Sequence, residues 1–131
     1  MLYLGVLHLK LCQKALTPRT HLSIQNTCYD ANCVIGLVRA AERCRSPAII
    51  QMFPVTLAYG KGPFLQFCLN AAREASVPIA VSLDHATDPE HLELALGLAE
   101  RGIAFDSIMV DASHAETDEE NIVLAPLRRT S

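Results

Sequence analysis

Asp84 and His85 stand side by side after the apolar run Val77-Pro78-Ile79-Ala80-Val81, within Ser82-Leu83-Asp84-His85. A carboxylate that moves protons, next to an imidazole that binds a metal or carries protons itself, suits general acid–base or metal chemistry. The chain repeats the pattern, because the run Ser107-Ile108-Met109-Val110 leads into Asp111-Ala112-Ser113-His114. Two apolar runs that each end in an acid and a histidine suggest one site supplied by two strand ends.

Such residues need a frame that brings them together. From about residue 20 onward, short apolar runs begin near His21, Ala48, Pro78 and Ser107. That period of roughly thirty residues fits one β-strand plus a crossover helix. Between the runs lie three helical stripes at i, i+3, i+4, i+7: Val34/Leu37/Val38/Ala41, Leu65/Cys68/Leu69/Ala72 and Leu92/Ala95/Leu96/Ala99. Asn32 is the expected cap of the first helix, Gly62-Pro63 the opening of the second, and Thr87 or Asp88 the cap of the third, with Pro89 in its first turn and Gly102 at its end. A fourth start, Thr117-Asp118-Glu119-Glu120, meets Pro126 after barely two turns, so the fourth repeat looks cut short.

Parallel strands joined by right-handed crossovers place their C-terminal ends on one face. Asn26, Gln51, Asp84, His85, Asp111 and Ser113 are therefore expected to converge there. Asn26 and Gln51 read equally well as polar residues that mark where strands leave the core.

Composition narrows the classes of function. Net charge is −3, with eight Lys/Arg against three acids in residues 1–83 and three against eleven in residues 84–131. That balance gives no polybasic surface, and three Tyr with no Trp give little to stack bases on, so nucleic-acid binding is not expected. The five cysteines are odd in number and widely spaced, which suits free thiols in a reducing compartment and a cytoplasmic location. Leu2 to Leu9 is apolar, but no basic residue precedes it and it is too short to span a bilayer, so no membrane association is expected. Residues 1–20 are read as an N-terminal segment and 21–131 as the domain; with 50% of its residues hydrophobic, the chain can build a core.

The segments Pro78-Ile79-Ala80-Val81-Ser82-Leu83-Asp84-His85, Asp106-Ser107-Ile108-Met109-Val110-Asp111-Ala112-Ser113-His114 and Glu119-Glu120-Asn121-Ile122 resemble the class II, zinc-dependent fructose-bisphosphate aldolase family. The likeness begins near Asn26, runs through Ala40-Ala41-Glu42, Ser46-Pro47-Ala48-Ile49-Ile50-Gln51 and Ala71-Ala72, and fades after Ile122. It implies an α/β fold, the (β/α)8 TIM barrel, of which this chain covers about the first four βα units. It also implies a lyase in which Zn2+ held by three histidines polarises a ketose carbonyl and stabilises an enediolate. A phosphorylated ketose such as fructose 1,6-bisphosphate is then cleaved to dihydroxyacetone phosphate and an aldehyde. By resemblance Asp84 matches the proton-transfer acid, His85 the first zinc ligand, Asp111 and Ser113 a strand-end segment lining the site, and Asn26 and Gln51 polar strand-end positions on the substrate side.

Two departures accompany the likeness. Ser82 stands where the family usually has a histidine, and the family's two other histidine ligands and a proton-transferring Glu belong to its second half. Four strands also leave two sheet edges, which implies a homo-oligomer or association with another barrel half. The alternatives to an active lyase are a non-catalytic binding or regulatory half-barrel and a truncated gene product.

Overall fold

The computed structural model describes residues 24–111. In them four strands, β1 (Ile24–Thr27), β2 (Ala48–Met52), β3 (Ile79–Ala86) and β4 (Ser107–Val110), alternate with three helices, α1 (Ala31–Cys44), α2 (Pro54–Glu74) and α3 (Pro89–Glu100). The sheet order is β1-β2-β3-β4 and every pairing is parallel. This is the expected βα array, with strands starting within three residues of the positions read from the apolar runs near residues 21, 48, 78 and 107. Ser113, His114, the Thr117–Glu120 capping pattern and residues 1–20 lie outside the described residues.

Strand alternation sorts the sheet into two faces. Ala48, Ile50 and Met52 of β2 and Ile79, Val81 and Leu83 of β3 pack with Val34, Ala41, Leu57, Leu65, Cys68, Leu69, Leu92, Ala95 and Leu98 in one buried core beneath the helices. On the opposite face Ile49 and Ala80 form a separate small buried pair. β1 and β4 are the edges of the sheet among the described residues.

Local sequence explains the helix boundaries, with three shifts from expectation. Asp30, not Asn32, caps α1, its carboxylate accepting from Cys33 N at 2.9 Å. The helix ends where Arg45 turns left-handed at φ 51°, and the N–H of Ser46 returns to the carbonyl of Ala41 at 3.0 Å. α2 begins earlier than Gly62-Pro63, at Pro54, and Gly62-Pro63 instead restarts it after a kink at Lys61 (φ 49°, ψ −149°). Gly60 is required there, because a Cβ would sit 2.5 Å from that of Phe64. In α3 the buried stripe is Leu92/Ala95/Leu98, while Leu96 is 40% exposed. The helix rolls toward α2, where Leu98 meets the bare backbone of Gly62 so closely that a Cβ would lie 3.0 Å from Leu98 Cδ2. Of the two expected caps, Asp88 rather than Thr87 caps α3, accepting from Glu90 N at 2.9 Å, and Gly102 follows at φ 84°.

Candidate active site

The site is made by an irregularity in β3. Leu83 pairs with Ile108 and Ala86 with Val110, so Asp84 and His85 together face the single residue Met109. Such a bulge re-aims side chains, and the backbone of His85 carries the mark of it at φ 43°, a conformation that L-residues other than glycine seldom adopt. In a regular strand Asp84 and His85 would point to opposite faces. Here His85 Nε2 lies 3.9 Å from Asp84 Oδ1. The bulge turns a sequence neighbour into a spatial one.

Asp111 completes the group. Its own N–H donates to the carbonyl of Ala86 at 3.1 Å, extending the β3–β4 ladder past the bulge. That bond fixes its carboxylate 2.7 Å from His85 Nδ1. The imidazole side chain is 47% exposed, against 11% for Asp84 and 13% for Asp111. The hydrogen bond to Asp111, aided by the charges of Asp84 and Asp111 and opposed by partial desolvation, raises the His85 pKa above its ordinary value. When the ring is neutral, an acceptor on Nδ1 selects the Nδ1–H tautomer and leaves the lone pair on Nε2, the ring nitrogen nearest Asp84. The Phe53 ring stands beside it, with centroids 6.4 Å apart and planes tilted by 40°.

Beneath these residues a polar row crosses all four strands. Thr27 pairs with Gln51, Gln51 with Ser82, and Ser82 with Ser107. The Ser107 hydroxyl donates to that of Ser82 at 2.8 Å, and both residues are buried. Where the resemblance leads one to expect a histidine, the structure has a serine whose polar atom is satisfied by its cross-strand neighbour, so the missing imidazole leaves no buried polar group unpaired.

Of the residues singled out from sequence, Asp84, His85 and Asp111 come together, and Gln51 lies in the polar row on the same face. Asn26 pairs with Ile50, in the row that packs under the helices, and its carbonyl accepts from Cys28 Sγ at 3.6 Å. Ser113 falls outside the described residues. Sequence reasoning missed Phe53, whose signal is an aromatic residue between an apolar run and a proline. It also missed the Ser82–Ser107 pair, because the strand offset that joins them cannot be read from spacing alone.

Could these residues hold a metal? No group of three or more His, Cys, Asp or Glu in metal-binding proximity occurs among the described residues. A catalytic zinc site needs about three protein ligands. His85, with a carboxylate behind its Nδ1, has the form of one such ligand, but the described residues do not make a metal site by themselves. Among them, too, no helix is long and apolar enough to cross a membrane.

Comparison with known proteins agrees with the architecture. The family model "Fructose-bisphosphate aldolase class-II" matches residues 10–126. A candidate fructose-bisphosphate aldolase from Coccidioides immitis is 42% identical over 111 residues, covering 81% of this chain and 36% of the relative. A fructose-bisphosphate aldolase from Thermus caldophilus is 36% identical over 87 residues, covering 66% of this chain and 27% of the relative. Among solved structures, the candidate fructose-1,6-bisphosphate aldolase of Coccidioides immitis superposes with a TM-score of 0.80 at 40% identity, over 88% of this chain and 43% of that one. The YdjI aldolase from Escherichia coli K12 superposes with a TM-score of 0.66 at 25% identity, over 88% of this chain and 41% of that one. The chain thus spans less than half the length of these relatives, and the parallel sheet with its alternating helices is the corresponding part of their fold. With the matched region covering most of its length, the chain belongs to the class II fructose-bisphosphate aldolase family.

Proposed function

We propose that this chain supplies the acid–imidazole part of a zinc-dependent aldolase site acting on a phosphorylated ketose such as fructose 1,6-bisphosphate. The observation that carries the reading is the bulge at Asp84-His85, which brings a largely buried carboxylate within 3.9 Å of an imidazole held from behind by Asp111. Aldol cleavage removes the proton from a hydroxyl as the adjacent carbon–carbon bond breaks, and condensation returns it to the aldehyde oxygen. Asp84 has the chemistry to accept and return that proton. His85 is one zinc ligand through Nε2, with the other ligands supplied from outside the described residues. Gln51, Asp111 and Ser113 are the proposed substrate-side residues, and Gln51 and Asp111 share the face that carries Asp84, whereas Asn26, paired with Ile50 in the helix-side row, is left out of the set. A cytoplasmic setting suits the four free cysteines among the described residues.

The test is a chimera that joins this chain to the part of the Coccidioides relative it does not cover, assayed for release of dihydroxyacetone phosphate and for bound zinc. Asp84→Ala is expected to lower turnover by about 10²–10⁴-fold with zinc retained, the usual size of a general acid–base contribution. His85→Ala is expected to lose zinc as well as turnover. Equal zinc content in the two variants would refute the division of roles.

A second reading, a non-catalytic half-barrel that docks on another copy or another half, is favoured by one observation: the sheet of the described residues ends in two edges, β1 and β4. A stable zinc-free dimer of the 131-residue chain, with an inactive chimera, would select it.

A further inference from the structure

Phe53 is held in place from both sides. Met52 before it is fully buried at the end of β2, and Pro54 after it is the first residue of α2. A residue that precedes proline is confined to extended backbone, and Phe53 has φ −76° and ψ 150°. Its carbonyl accepts the first hydrogen bonds of α2, from Thr56 N at 2.9 Å and Leu57 N at 3.1 Å. The ring therefore hangs from a junction that cannot swing without unmaking the start of the helix.

His85 is the opposite case. Its backbone is bulged and its side chain half exposed, so packing alone does not choose its rotamer. The bond from Nδ1 to Asp111 fixes one ring atom but leaves rotation about that contact. The Phe53 ring, at 6.4 Å and 40°, lies within the range of attractive aromatic pairs and closes one side of that arc. We propose that Phe53 is a positioning residue for His85: a rigid wall that, with Asp111 on Nδ1, holds the imidazole plane so that Nε2 faces Asp84 and the mouth of the site. The proposal deepens the reading of His85 as a chemically active imidazole and rests on it.

The test uses the 131-residue chain labelled with ¹⁵N-histidine, with the His85 signals assigned by their loss in His85→Gln. Long-range ¹H–¹⁵N spectra recorded on the alkaline side of the His85 transition, located by titrating its own ring signals, read the ratio of the Nδ1–H to the Nε2–H tautomer. The wild-type ring is expected to be mostly Nδ1–H and to show cross-relaxation between the Phe53 and His85 rings. Phe53→Leu is expected to lower the ratio by about threefold or more, the effect of losing one aromatic pair, while Phe53→Tyr restores it. A Phe53→Leu chain with the wild-type ratio would overturn the proposal. Should that variant not fold, absence of ring–ring cross-relaxation in the wild-type chain would overturn it equally. An inactive chimera with the Phe53 effect intact would sink the aldolase reading and leave the positioning role standing.

Discussion

Asp106 and Asp111 flank the same short strand, β4, and use the same functional group in different ways. At the strand's start Asp106 Oδ2 accepts from the N–H of Val81 at 2.8 Å, while its own N–H donates to the carbonyl of Val81 at 2.9 Å. The ladder of β4 begins only at Ser107, and the Asp106 carboxylate satisfies a backbone donor that the strand does not reach. At the strand's end Asp111 also continues the ladder by its N–H, but its carboxylate turns to an imidazole. The difference lies across the seam: regular β3 faces Asp106, and the bulge at Asp84-His85 faces Asp111. An acid at a strand end acquires an imidazole partner where its neighbour's backbone departs from alternation.

The sharpest way to break this contrast is to remove the structural acid. Burial pushes the Asp106 carboxyl up, against the lowering effects of the Val81 N–H and of Arg73. Asp106→Ala leaves a buried N–H without an acceptor and is expected to cost about 1–3 kcal/mol, read as a lower midpoint in urea unfolding. Asp106→Asn keeps an acceptor oxygen and sheds the cost of desolvating a charge, so it should lie near the wild type. An Asp106→Ala chain as stable as the wild type would show that this carboxylate has no structural task, and the contrast with Asp111 would lapse.

The fold was largely legible because its causes are local and periodic. The four runs and three stripes gave the βα order, and Asp88-Pro89 and Gly102 bounded α3 correctly. The errors arose where tertiary contact overrode local signal. Leu96 gave way to Leu98 because Gly62 on α2 admits a leucine there, and Pro54 opens a helical stretch of its own ahead of the kink at Lys61, after which Gly62-Pro63 opens the next. For the site, the residue types at Asp84, His85 and Asp111 could be read, but their proximity could not. Strict alternation would separate Asp84 from His85, and no composition or spacing announces a bulge with φ 43° at a histidine.

Between the two acids, Ser82 and Ser107 offer a finer test of the same seam. Either Ser82→Ala or Ser107→Ala leaves the other hydroxyl buried without its partner and is expected to cost about 1 kcal/mol. The double variant removes both polar groups, so its cost should be less than the sum, and a double-mutant cycle should return a coupling of about 0.5–1 kcal/mol. Additive losses would mean that the pair contributes nothing as a pair and that the polar row is a coincidence of register.

The smallest effect on stability belongs to the acid paired with the imidazole. Asp111 raises the His85 pKa, so the folded state binds the imidazolium proton more tightly than the unfolded state does. Stability from this pair is fully present below the unfolded histidine value of about 6.5 and is lost as pH rises through the higher folded value. Because the imidazole is 47% exposed, solvent screens the pair, and the whole contribution should stay below about 1 kcal/mol. Asp111→Asn is expected to bring the His85 transition, followed by its ring-proton shifts, back down toward its ordinary position. The stability gap between wild type and variant should be widest on the acid side of neutrality and close at higher pH. Asp106→Asn should leave the His85 transition where it is, since that carboxylate serves Val81 at the other end of β4. If both variants moved it equally, the two ends of the strand would be electrostatically equivalent, and the bulge would not be what gives one of them its imidazole partner.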